Sequence, residues 1–187
     1  MNDATIKKKL SGIVLGVLCY CFAVMPLQAA ELQAVDKVEL DKFLGVWYEI
    51  LSKPSSTTKR CNRDITSTYT LNEYGHLLAE RQCLDQDQKP LTFVGEAYPV
   101  NEPRYSKFKL SFMPEAIRWL PLGQNDYWIL KLDEQYQMAL IGEPNKQSMW
   151  LLSRDPHPNQ AVVQQYLNYA KSLGYKVDDV VYTTHQK

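Results

Sequence analysis

The sequence predicts an all-β fold: an eight-stranded antiparallel up-and-down barrel with one C-terminal α-helix packed outside. Three observations predict it. From Gly45 onward, short stretches rich in Val, Ile, Leu, Thr, Tyr and Phe recur between turn residues at the intervals of a meandering sheet. Helical periodicity is absent until Asn159, after which Val162, Val163, Tyr166, Leu167, Ala170 and Leu173 fall at i, i+3, i+4 spacing and stop at Gly174. A closed barrel also removes the exposed edges that so many strands would otherwise present.

The strands are expected at 47–52, 64–71, 76–83, 92–99, 106–113, 127–133, 138–143 and 149–155. Asn72-Glu73-Tyr74-Gly75 is a turn with glycine where positive φ is needed, and Asp133-Glu134-Gln135-Tyr136 is a second polar turn. The helix over 159–173 needs an apolar partner, which the outer face of the barrel supplies, and the tail over 177–183 can return to pair with a strand. Val35, Val38, Leu40, Phe43 and Leu44 in the leader can plug one end of the barrel.

Residues 1–29 read as an export signal removed from the product, leaving one domain over 30–187. Lys7, Lys8 and Lys9 are the basic start, 10–27 the apolar middle, and Ala29 and Ala30 the small residues at the cleavage point. A retained membrane anchor is the alternative, against which Pro26 and the paired alanines argue. Lipid attachment needs a cysteine behind a small residue, yet Cys19 follows Leu18 and Cys21 follows Tyr20. A soluble periplasmic product is therefore expected, with outer-membrane anchoring through Cys19 as the second option.

Lys+Arg and Asp+Glu both number 21, and without the leader the balance is slightly acidic. That excludes attraction to a polyanion, so no nucleic-acid partner is expected. Cys61 and Cys83 remain as an isolated pair, which in an oxidising compartment more often forms a disulfide than a redox or metal site. Such a bridge stabilises the fold by roughly 3 kcal/mol. His76, His157 and His185 lie far apart in sequence, and there is no nucleophile elbow, phosphate loop or metal-ligand spacing. Neither catalytic residues, nor a metal, nor a cofactor are expected.

Gly45-Val46-Trp47-Tyr48-Glu49 resembles the Gly-x-Trp signature that opens the first strand of lipocalins. The resemblance strengthens at 127–133, at Tyr136, at Ala139-Leu140-Ile141-Gly142 with Pro144, and at Trp150-Leu151-Leu152-Ser153-Arg154. These are similar to the bacterial lipocalin and apolipoprotein D branch of the family, and Leu167, Ala170, Gly174-Tyr175 and Asp178 are similar to its closing helix and following turn. The resemblance implies a carrier of an apolar small molecule, a fatty acid or lysophospholipid, acting as a monomer or weak homodimer. It also implies that Trp47 crosses the closed base with the Arg154 guanidinium on its indole face, a structural contact of about 1 kcal/mol.

With Trp47 turned inward, alternation along the strands, hairpin pairing and the resemblance give the inward set. It comprises Ser67, Tyr69, Ala79, Phe93, Ala97, Phe108, Leu110, Phe112, Tyr127, Ile129, Ala139, Ile141 and Trp150. Small residues among large ones suggest a partly hollow interior lined by aromatic rings, suited to an apolar ligand. Arg81 and Lys131 share the inward parity; either can meet an anionic headgroup, or be solvated or paired with Glu49.

The segment 114–123 places Ile117, Trp119, Leu120 and Leu122 between two strands. It is expected either to lid the mouth or touch a membrane surface during ligand exchange, or to fold inward as extra core. Lys53, Lys59 and Arg60 across the mouth can steer anionic headgroups or simply be solvated. A filled barrel using 114–123 to bind a protein or membrane partner is the competing functional reading.

Overall fold

The computed structural model describes residues 32–54 and 60–186. The export signal, Cys19 and Cys21, and Lys59 lie outside the described residues. Eight strands form the barrel: β1 Gly45–Ser52, β2 Arg63–Leu71, β3 Leu77–Leu84, β4 Pro90–Pro99, β5 Lys107–Ser111, β6 Gln124–Leu132, β7 Met138–Gly142 and β8 Met149–Ser153. Each pairs antiparallel with the next, and β1 closes the ring by pairing with both β2 and β8. The register is fixed by pairs such as Trp47 with Ser67 and Tyr48 with Ser153.

The strand boundaries differ from the sequence reading most around the long loop. β5 stops at Ser111 rather than Met113, a 3₁₀ turn follows at Glu115–Ile117, and β6 starts at Gln124, three residues early, directly after Gly123 at φ +83°. Glycine is needed there because the left-handed region strains other side chains. The 72–75 turn forms as expected: Asn72 Oδ1 accepts from the amides of Tyr74 and His76, and Gly75 takes φ +79°.

A short helix α1, Leu40–Phe43, ends the leader beneath the barrel. The amides of Val35 and Val38 donate to the carbonyls of Ile129 and Arg104, so the leader is stitched to the base. Phe43 is fully buried between Trp47 and Tyr69, with ring centroids 5.1 and 5.2 Å away. Burial of such side chains contributes on the order of 1.5–3 kcal/mol each.

Helix α2, Gln160–Ser172, lies on the outside. Asn159 caps it by accepting from the Ala161 amide at 2.8 Å, and Gly174 at φ +88° follows its end. Val163, Tyr166, Leu167 and Ala170 pack against Ile50, Leu130, Leu140 and Leu151 on the outer barrel face. β7 is therefore buried on both sides, with Ala139 and Ile141 in the inner core and Met138 and Leu140 under the helix.

Above Tyr48 the pairing of β1 with β2 ends, and a ninth strand, Val181–Tyr182, takes the freed edge through Leu51 and Ser52. This covers backbone groups that would otherwise be open to another chain. Lys53 was expected at the mouth as a headgroup-steering or solvated cation, and the structure corrects that. Its side chain is 8% exposed, donating to Asp179 Oδ1 at 2.6 Å and to the Lys176 carbonyl. The returning tail covers it.

Candidate ligand-binding site

The lower barrel is solid. Tyr69, Ala79, Ala97, Phe108, Leu110, Tyr127, Ile129, Ala139 and Ile141 join Val38, Phe43, Trp47, Leu77 and Leu152 in one buried cluster. The expected hollow interior is corrected in extent: the cavity is about 40 Å³, and the unfilled space around it, counting the part open to solvent, is about 360 Å³. The small side chains leave little room, because rings from the leader and neighbouring strands reach into the same space.

The remaining cavity sits above this core, where Ser67, Tyr69, Ala79, Leu110, Tyr127 and Trp150 meet Glu49, Arg81, Phe112 and Leu152. The Phe112 ring lies over Gly95, where an added Cβ would come within 2.8 Å of it. Phe112 is 40% exposed at the mouth. Phe93 packs instead beside the Cys61–Cys83 disulfide with Ile65 and Leu91, and the Arg60 guanidinium lies 4.8 Å from its ring centroid. That disulfide closes a span of 22 residues with a Cα separation of 5.6 Å.

Charges divide the site. Arg81 faces inward and its Nη2 lies 2.8 Å from Glu49 Oε2; the two side chains are 8% and 1% exposed. Lys131 does not share that orientation, contrary to its sequence parity. The register shifts between Ile129 and Lys131, a bulge that turns Lys131 outward onto the Tyr166 and Tyr169 rings, with centroids 4.7 and 4.9 Å away. Below the pair, the Tyr69 and Tyr127 hydroxyls share a 2.5 Å hydrogen bond. Burial pushes both phenols above their ordinary pKa, Tyr127 further because Tyr69 stands beside it.

At the base, Arg154 lies 3.9 Å above the Trp47 ring, and Trp47 Nε1 donates to the Phe43 carbonyl at 2.8 Å. Gly45, at φ +91°, starts β1 with Arg154 Nη1 close by, where an added Cβ would stand 3.4 Å from it.

The 114–123 loop does not fold inward as core. Ile117, Trp119 and Leu122 are exposed, and Leu120 is half-buried. The loop hangs from buried Arg118, whose Nε donates to the Met113 carbonyl and whose Nη2 donates to the Val94 carbonyl. Arg118 Nη1 also lies 3.9 Å from Glu96 Oε2. Sequence reasoning missed this cluster, in which Glu96 also accepts from His76 Nδ1 at 2.7 Å, from Asn72 and from the Tyr98 hydroxyl. Side chains two apart on β4 signal one face, but nothing local shows that the 72–75 turn and the long loop converge on it.

A larger open groove of about 580 Å³ lies outside the barrel, between the start of α2 and the 133–137 turn, with Lys131, Gln137, Asn159 and Tyr166 among its walls. Among the described residues, no three His, Cys, Asp or Glu side chains gather as a metal site would need.

Residues 38–185 match the family described as the lipocalin-like domain. Temperature-induced lipocalin-1 of Arabidopsis thaliana is 32% identical over 150 residues, covering 79% of this chain and 79% of that protein. Outer membrane lipoprotein Blc of Citrobacter freundii is 26% identical over 149 residues, covering 79% and 80%. The solved structure of insecticyanin from the tobacco hornworm Manduca sexta superimposes with a TM-score of 0.62 at 15% identity, covering 83% of this chain and 85% of that one, and so shares the fold. The domain match and this closed barrel with its outer helix agree: the chain belongs to the lipocalins, a family that binds small hydrophobic ligands.

Proposed function

We propose that this protein binds an acyl-chain lipid, of the fatty-acid or lysophospholipid class, in the upper barrel and carries or stores it in a cell envelope. The observation that carries the reading is the aromatic and apolar wall at the open end, formed by Leu110, Phe112 and Trp150 above the solid base. Apolar burial there contributes on the order of 25 cal/mol per Å². Entry of a whole chain requires the Phe112 and Trp150 rings to swing aside, since the cavity is only about 40 Å³. The barrel performs no chemistry in this reading, and Ser67, Tyr69 and Tyr127 set the lower limit of the ligand's reach. Export to a periplasm follows from the 1–29 reading. Anchoring through Cys19 is the second option, supported by a relative whose name is outer membrane lipoprotein.

Organic extraction of the purified protein followed by mass spectrometry tests the carrier. A stoichiometric co-purifying lipid is expected. A lipid-free protein that also refuses a neutral fluorescent apolar probe rejects it. The small cavity and the exposed Trp119 and Leu122 favour the second reading, a barrel that binds a protein or membrane partner through 114–123.

A further inference from the structure

From the ion pair at the bottom of the cavity we infer that the barrel selects ligands whose buried end is a neutral group able both to donate and to accept a hydrogen bond, such as a hydroxyl or carboxamide, over a free carboxylate. This rests on the carrier reading and changes its head group: the apolar chain stays in the barrel, but a neutral head takes the place of the fatty acid's carboxylate or the lysophospholipid's phosphate. Glu49 and Arg81 line the cavity and are more than nine-tenths buried. Their contact is too bent to count as a hydrogen bond, and among the described residues Glu49 Oε1 and Arg81 Nε have no hydrogen-bond partner. Buried polar atoms without partners are costly, so a group that receives from Arg81 and gives to Glu49 is strongly favoured.

The size of the cavity points the same way. About 40 Å³ holds a few waters or a small polar head, because one water needs roughly 10–15 Å³ of such space. The chain of such a ligand then runs upward past Leu110 and Trp150 to Phe112 at the mouth. A carboxylate fits less well, since Glu49 already neutralises Arg81 and a third charge would leave the buried site net negative.

Competition against Nile red at pH 8 tests the inference with four heads on one chain length: dodecanol, dodecanamide, methyl laurate and laurate. Dodecanamide is expected to bind at least about tenfold more tightly than methyl laurate, which accepts but cannot donate, and than laurate. Glu49→Gln leaves Arg81 without its counter-charge, and laurate binding should rise by about tenfold or more over wild type. Wild-type protein that binds laurate or methyl laurate as tightly as dodecanamide overturns the inference while leaving the carrier intact. So does laurate binding unchanged by a folded Glu49→Gln variant. If that variant does not fold, the wild-type comparison of dodecanamide with methyl laurate decides alone. Failure of all four ligands, and of Nile red itself, removes the carrier and this selectivity together.

Discussion

Arg154 covers one face of the Trp47 indole at 3.9 Å while its guanidinium donates to the carbonyls of Lys42, Leu44 and Val46. One side chain from the end of β8 thus fastens α1, the start of β1 and the base tryptophan together. Cations over aromatic rings contribute about 0.5–2 kcal/mol, and hydrogen bonds from a charged donor about 1.5–3. Arg154→Ala should therefore lower stability by about 2–4 kcal/mol, read as a shift in the urea midpoint at constant slope. Arg154→Lys should recover only part, because an ammonium lacks the planar fork. A shift under 0.5 kcal/mol would show that the base holds without this contact.

Reduction of the Cys61–Cys83 bridge, or the double change to alanine, should cost about 3 kcal/mol on the basis of the unfolded chain's lost constraint. The expected effect is a lower thermal midpoint with the barrel's circular dichroism retained.

Glu96 gives a pH-dependent contribution. Burial pushes its carboxyl up, but the hydrogen bonds from His76, Tyr98 and Asn72 and the charge of His76 outweigh that and hold it below the usual value of 4.5. A depressed carboxyl stabilises the fold above its unfolded pKa, and the contribution disappears as pH falls through the folded one. The stability gap between wild type and Glu96→Gln should be widest above about pH 4.5 and close at lower pH. A gap independent of pH down to acid unfolding would contradict the assignment.

Two glycines that close neighbours crowd should respond differently. At Gly142 an added Cβ meets Leu130 and the hydroxyl of Tyr175, which is buried and donates to the Glu143 carbonyl at 2.7 Å. Gly142→Ala should cost about 1–3 kcal/mol, since this overpacks a core that cannot retreat. At Gly95 the nearest neighbour is the edge of the Phe112 ring, which is 40% exposed, with the end of the Leu110 side chain at 3.1 Å. Gly95→Ala should change stability by under about 1 kcal/mol while altering probe binding. Equal stability losses would mean that Phe112 is as fixed as Tyr175.

Trp119 is 66% exposed on a loop anchored through Arg118. If ligand exchange proceeds at a membrane surface, Trp119→Ala should slow lipid transfer from vesicles several-fold at unchanged ligand affinity. An identical transfer rate eliminates the membrane role.

Much of the site could be read from local pattern. Once Trp47 is turned inward, alternation carries through β1, β2 and β3 and places Ser67, Tyr69 and Ala79 beside Glu49 and Arg81. The same rule fails at Lys131, because a single bulge inverts the parity and no residue type there announces it. It fails differently at Lys53, whose surroundings come from a tail 123 to 126 residues away.

The sequence by itself determined the strand succession, the helix and its caps, the inward parity of most strands and the pairing of the two cysteines, because each depends on periodicity or on a short inventory of residues. Only the tertiary structure decided how much of the interior stays empty, where Arg81 finds its counter-charge and which face the 114–123 loop rests on. These depend on how far side chains from the leader and from strands distant in sequence reach into shared space. Packing of that kind is a property of the assembled volume and has no local signature.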